Sequence, residues 1–158
     1  MRTTLKTLLA AGLLAATTAF ANGQTLKVGI AAEPYPPFAS PDASGNWVGW
    51  EVEIANALCE QAGLQCEITP VAWDGIIPAL TTKKIDVITA SMSITDERKQ
   101  TIDFSDKYYN TPTSIIGPKG VEMEATPEGL KDKIIGVQVS TVHEDYAKKH
   151  FAETAAEI

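Results

Sequence analysis

The sequence has no run of basic residues, and acids outnumber bases: 20 Asp and Glu stand against 13 Lys and Arg, for a formal charge of −7 over 158 residues. Nucleic-acid binders draw most of their affinity from phosphate contacts, so an acidic chain without a basic patch argues against that class. No stretch of about 20 apolar residues occurs beyond the N-terminus, so nothing in the remainder reads as a membrane-spanning helix. Gly and Pro, 11 and 9, are too few and too scattered for a fibrous or low-complexity chain. No internal repeat is found, and H-E-x-x-H, P-loop, G-x-G-x-x-G and G-x-S-x-G patterns are all missing. The two histidines, His143 and His150, fall seven apart on one expected helix and read as solvated surface. Glu51 and Glu53 lie on different sides of another expected helix and make a poor carboxylate pair. No catalytic set, metal cluster or cofactor motif is therefore expected. What is there is ordinary globular composition, 44% hydrophobic and 21% charged, enough for one domain or two small lobes.

The N-terminus reads as an address. Arg2 and Lys6 precede a short apolar run, Leu8 to Phe20, which ends in Ala19-Phe20-Ala21, an A-x-A cleavage pattern. That is the tripartite form of a secretory signal peptide, residues 1–21, and the apolar run is short for a membrane anchor. Export leads to an oxidising compartment where disulfides persist. Cys59 and Cys66, seven apart, sit near the end of an expected helix and the start of an expected strand. Such a reversal can bring the two within bridging range. A metal site or a reactive thiol is the alternative, with no His or further Cys nearby to support it.

Periodicity then predicts the elements. Thr25 to Ile30 alternates like a strand, and four prolines between Glu33 and Pro41 impose an extended loop. Gly45-Asn46 reads as a turn. A helix is expected over Glu51 to Gln61, ending at Gly63, and a strand over Gln65 to Val71. Asp74 is expected to cap a helix running to Thr82, with Pro78 near its first turn. Lys84 to Ala90 reads as a buried parallel strand, and Thr95 as the cap of a short helix. In the second block, Thr113 to Gly117 is expected to be extended and Thr126-Pro127-Glu128 to open a short helix. Ile134 to Val139 is expected as a strand, with a helix from Thr141 burying Val142, Tyr146 and Phe151. Alternating strands and helices argue an α/β, doubly wound sheet.

Several residues have chemistry suited to a ligand. Tyr35 and Phe38 lie on the proline loop, and Trp47, Trp50 and Trp73 in or near loops; open α/β sheets bind ligands at the carboxyl ends of their strands. For Phe38, Trp47 and Trp50, closing the edge of the core is an equal reading. Ala90 to Arg98 runs from a strand through small hydroxyl residues, Ser91 and Ser93, to an arginine near a helix start. The guanidinium offers a planar fork that fits a carboxylate, and the loop offers acceptors for an ammonium group. An amino acid carries both. A surface ion pair of Arg98 with Asp96 or Glu97 is the plainer alternative. Ser140-Thr141 repeats the arrangement ahead of the last helix, where capping alone is the simpler reading.

Together these stretches resemble the periplasmic polar-amino-acid-binding proteins of ABC importers, solute-binding protein family 3. The resemblance runs from about Thr25 to Phe151. It is carried by Tyr35-Pro36-Pro37-Phe38, Gly49-Trp50-Glu51-Val52-Glu53-Ile54-Ala55, Trp73-Asp74-Gly75-Ile76-Ile77-Pro78-Ala79-Leu80, Ser93-Ile94-Thr95-Asp96-Glu97-Arg98 and Phe104-Ser105-Asp106-Lys107-Tyr108-Tyr109. It implies a type II periplasmic-binding-protein-like, bilobed α/β fold with ligand clamped by hinge closure. Lobe 1, nearly complete, would span 22–111, and lobe 2, partial, 112–158. Arg98 would hold the ligand α-carboxylate, supported by Ser140 and Thr141. The Ser91 carbonyl and Ser93 hydroxyl would take the α-ammonium, and Tyr35 and Trp73 would stack on the ligand side chain. Cys59 and Cys66 resemble the disulfide pair of the subgroup that binds basic amino acids and opines. Ala90 stands where basic-amino-acid binders often carry Ser.

The implied protein is a periplasmic monomer that delivers an amino acid or opine to a membrane permease, and is no enzyme. A periplasmic dehydratase on the same fold, with Glu33 as its acid, and a receptor sensor domain are the alternatives. The family's late Asp for the α-ammonium and its return crossing into lobe 1 would lie beyond Ile158. The chain is therefore read as a fragment that is expected to bind ligand weakly or not at all.

Overall fold

The computed structural model describes residues 25–158, so the signal-peptide reading of residues 1–21 lies outside the described residues. The chain opens with strand β1 (Leu26–Ala31), a small hairpin of β2 (Ser40–Pro41) and β3 (Trp47–Val48), and helix α1 (Trp50–Ala62). Strand β4 (Cys66–Val71), a 3₁₀ turn at Trp73–Gly75, helix α2 (Ile76–Thr81) and strand β5 (Val87–Ile88) follow. A second 3₁₀ turn at Arg98–Gln100 and helix α3 (Val142–Phe151) complete the regular elements.

The main sheet is parallel, in the order β4-β1-β5. β1 pairs with β4 along its whole length, from Leu26 opposite Cys66 to Ala31 opposite Val71. Strand alternation sends β1 side chains to both faces, and both are covered. Val28 and Ile30 pack with Val52, Ala55 and Cys59 of α1. Ala31 packs on the other side, with Ile76 and Ala79 of α2 and with Ile85. Gly29 faces that second layer so closely that a Cβ there would stand 2.3 Å from Ile85 Cδ1. Helices on opposite faces of a parallel sheet make the doubly wound arrangement expected from the alternation of elements.

Local signals act as expected in several places. Gly63 takes the left-handed conformation, φ 67°, and ends α1 by donating to the Cys59 and Glu60 carbonyls. Cys59 and Cys66 form a disulfide with Cα atoms 6.2 Å apart, tying the end of α1 to the start of β4. Asp42 accepts from the Ser44 and Asn46 backbone, which shapes the turn containing Gly45.

Other expectations need correction. The proline loop is not simply extended: it turns back on itself, with Tyr35 bridging Ala39 and a cis bond between Pro36 and Pro37. Asp74 caps no helix, since the 3₁₀ turn that contains it leads directly into α2. The Lys84 to Ala90 strand shrinks to two regular residues, and the helix after Thr95 to one 3₁₀ turn. Thr126 closes a turn by accepting from Gly129 N rather than starting a helix. Ile134 to Val139 forms only an isolated bridge, Ile134 to Glu157, because a strand needs a partner and Glu157 is its one bridge partner among the described residues. Tyr146 is 54% exposed, not buried; Ala147 and Phe151, four apart, carry the buried stripe of α3 instead. They pack with Leu130, Ile135, Val137, Ala155 and Ile158 in a small core separate from those around the sheet.

Candidate ligand-binding site

Three loops leave the carboxyl ends of the three parallel strands, and each carries expected site residues: Tyr35 after β1, Trp73 after β4, and Ser91, Ser93 and Arg98 after β5. That common edge is where open α/β sheets bind ligands. The structure brings Trp73, Ser93, Arg98 and Ser140 into one contact set. The Arg98 guanidinium donates from Nη1 to the Ser93 carbonyl, 2.9 Å, and from Nη2 to the Ser140 carbonyl, 3.1 Å. Its carbon lies 5.7 Å from the centre of the Trp73 ring, and Trp73 Nε1 donates to the same Ser140 carbonyl at 3.0 Å.

Arg98 forms no ion pair among the described residues; Asp96, one alternative partner, lies 3.5 Å from Lys99 instead. The guanidinium is half-buried. Desolvation works against its charge and lowers its pKa, while Asp145 and Glu97 oppose that effect at longer range. Five N–H donors belong to a guanidinium, and two are engaged by carbonyls here, so a fork remains for an anion.

Ser140 holds a left-handed backbone, φ 60°, fixed from both sides. Its carbonyl takes Arg98 and Trp73, and its N–H donates to Glu144 Oε2 at 2.6 Å. Thr141 caps α3 by accepting from Glu144 N, 3.2 Å, while its hydroxyl donates to the Gln138 carbonyl, 2.7 Å. Ser140 therefore meets the site through its backbone carbonyl, while Thr141, buried, caps the helix whose N-terminal field favours an anion. Lys148 and Ser140 N hold the Glu144 carboxyl below its ordinary value.

Tyr35 is 49% exposed and stacks on Phe38 at 4.9 Å. Phe38 continues into Trp50, Tyr108 and Tyr109, with ring centres between 5.3 and 5.9 Å apart. Of the three aromatics for which closing the core edge is an equal reading, Trp47 packs on the buried Ile30, Ala39 and Val52, whereas Phe38 and the exposed Trp50 belong to this aromatic wall. Glu33 Oε1 accepts from Trp73 N at 3.3 Å.

The residue that sequence reasoning missed is Glu51. It is 1% exposed, and its Oε1 accepts from Ser91 N at 2.6 Å, from Ser91 Oγ at 2.9 Å and from the Tyr108 hydroxyl. Burial first, and the bond to Glu51 second, push the Tyr108 phenol well above its usual range. Gly49 makes this placement possible. At φ 129° a side chain there would bring its Cβ within 2.3 Å of the Phe38 carbonyl oxygen, which instead accepts from Glu51 N at 3.0 Å. The signal was in the spacing: Glu51, Ala55 and Cys59 run at i, i+4 and i+8 along the buried stripe of α1, and Glu53 lies off it.

Comparison with known proteins agrees with this geometry. Residues 26–153 match the bacterial extracellular solute-binding proteins, family 3. The chain is 40% identical over 139 residues to the L-arginine-binding protein of Pseudomonas aeruginosa, covering 88% of this chain and 53% of that protein. Among solved structures it is similar to an ancestral arginine-binding protein bound to glutamine, with a TM-score of 0.77 at 40% identity over 85% of this chain and 60% of that one. It is also similar to domain 1 of TmArgBP in its arginine-bound form, with a TM-score of 0.51 at 46% identity, covering 54% of this chain and 65% of that domain. The chain spans between about half and three fifths of the curated relatives it matches, 53% and 60% of the first two. With the sheet, its strand-end loops and the disulfide in place, the chain belongs to the bacterial extracellular solute-binding proteins of family 3, and its fold is the bilobed α/β fold of that family.

Proposed function

We propose that this chain is the solute-binding component of an ABC importer. Exported to the periplasm, it holds an amino acid in the cleft between two lobes, residues 22–111 and 112–158, and passes it to a membrane permease. The observation that carries the reading is the half-buried Arg98 guanidinium, which has no carboxylate partner among the described residues and is held on backbone carbonyls on either side, at Ser93 and Ser140. A charge so placed is stabilised by an incoming anion with matching bidentate geometry.

In this reading Arg98 takes the ligand α-carboxylate, helped by the N-terminus of α3 behind Ser140 and Thr141. The Ser91 carbonyl and Ser93 hydroxyl receive the α-ammonium, and Tyr35 and Trp73 flank the side chain. Relatives named for arginine favour a basic ligand, and Trp73 already carries a guanidinium near its face. The glutamine-bound relative favours recognition through the backbone groups that all amino acids share. The arginine-bound domain 1 favours a large share of the affinity residing in lobe 1, so this chain is proposed to bind an amino acid by itself, in place of the weak or absent binding expected from the family resemblance alone. The protein acts as a monomer, and as a binder rather than an enzyme: Glu33, the acid a dehydratase reading would need, is engaged by the Trp73 backbone.

Calorimetric titration of the full chain against a panel of L-amino acids, with agmatine as arginine lacking its carboxylate, tests the proposal. Binding of a basic L-amino acid without binding of agmatine is expected. Agmatine bound as tightly as arginine would overturn the carboxylate clamp.

A further inference from the structure

Glu51 is a buried carboxylate that the clamp described above does not use. The three groups bonded to it, Ser91 N, Ser91 Oγ and the Tyr108 hydroxyl, are all neutral, and no Lys, Arg or His pairs with it among the described residues. Neutral donors stabilise a charge without cancelling it. The first turn of α1, where Glu51 sits, adds a favourable but partial field. A net negative charge therefore stands one residue behind the Ser91 loop.

Its second effect is on Ser91 itself. That residue holds a left-handed backbone, φ 49°, and both of its donors point into Glu51. What remains to Ser91 for a ligand is an acceptor, its carbonyl, which has no hydrogen-bond partner among the described residues; its hydroxyl donates to Glu51 and also faces the Tyr109 phenol. An acceptor backed by negative charge selects a cation and rejects a hydroxyl-poor apolar terminus or an anion.

We infer that Glu51 is the positioning residue and outer counter-charge of the ligand α-ammonium, acting through Ser91 and held in place by Tyr108. The inference rests on the amino-acid-binding reading and deepens it.

The test compares L-arginine with 5-guanidinopentanoic acid, the same molecule without its α-amino group, as ligands of the full chain and of Glu51→Gln. The variant keeps the shape and removes the charge. Arginine affinity is expected to fall about tenfold while the analogue changes by less than about twofold, with Glu51→Asp restoring most of the α-amino preference. Parallel losses for both ligands would make Glu51 merely structural and overturn the inference, as would no loss for either. If Glu51→Gln shows no cooperative melt, Tyr108→Phe decides. It loosens the Glu51 side chain without removing its charge, so arginine affinity is expected to fall about threefold with the analogue unchanged; no change for arginine, or parallel losses for both ligands, overturns the inference. A wild-type chain that binds no amino acid defeats the proposed function and this inference together; a wild type that binds, with a Glu51→Gln variant that keeps its α-amino preference, defeats the inference alone.

Discussion

Trp73 and Ser140 lie 67 positions apart and are joined by one hydrogen bond, from the indole Nε1 to the backbone carbonyl, at 3.0 Å. Trp73 belongs to the group of elements packed around the sheet, whereas Ser140 leads into α3 and the separate small core. The same carbonyl takes Arg98, so the ring and the guanidinium are fixed to one point across the site. Trp73→Phe keeps an aromatic face for a ligand and deletes this bond. A net hydrogen bond is worth about 1 kcal/mol, so amino-acid affinity is expected to weaken by about fivefold with the melting temperature little changed. Titration of the two proteins side by side checks this; equal affinities would show that the bond does not steady the bound state.

Removing the disulfide should cost stability without changing the site. The bridge closes a short loop between residues seven apart, far from Arg98 in the chain, and it sits against the Val28 and Ala55 core. A Cys59→Ala, Cys66→Ala double variant is expected to lose about 2–3 kcal/mol in denaturant unfolding. An unchanged unfolding midpoint under oxidising conditions would contradict this.

Tyr108 predicts a pH effect at the alkaline end. Its folded-state pKa is raised above the ordinary 10.0, first by burial and then by the Glu51 carboxylate. A group with a raised folded pKa contributes stability that is fully present below the unfolded value and is lost as pH rises through the folded one. The wild type should therefore lose stability relative to Tyr108→Phe as pH climbs above 10.0. Its tyrosinate absorbance titration should also carry a late step that the variant lacks. Identical alkaline profiles would contradict the bond between phenol and carboxylate.

The parts of the fold legible in the sequence were those fixed by local chemistry. β1, α1, its Gly63 terminus and β4 follow from short-range periodicity and a left-handed cap, and the Cys59–Cys66 bridge from the reversal between them. Strands whose existence depends on a distant partner were less legible: Ile134 to Val139 alternates well enough, yet ladder bonds are made by pairs, and only Ile134 finds one. Tyr146 looked core-facing by spacing, but its ring packs along the surface on His150 at 4.3 Å. In the site, the Arg98 fork and its neighbouring hydroxyls could be named from residue type alone. Glu51 could not, because a carboxylate in a helix is first taken for solvent-facing; only its place on the Ala55 and Cys59 stripe argued otherwise.

The central claim is that Arg98 receives the carboxylate of an amino acid, and titration of Arg98→Ala beside the wild type with L-arginine tests it most directly. Loss of a charge-assisted bidentate contact of about 3 kcal/mol predicts a dissociation constant raised by about a hundredfold, with the fold intact by melting. Wild-type affinity retained in the variant would contradict the account.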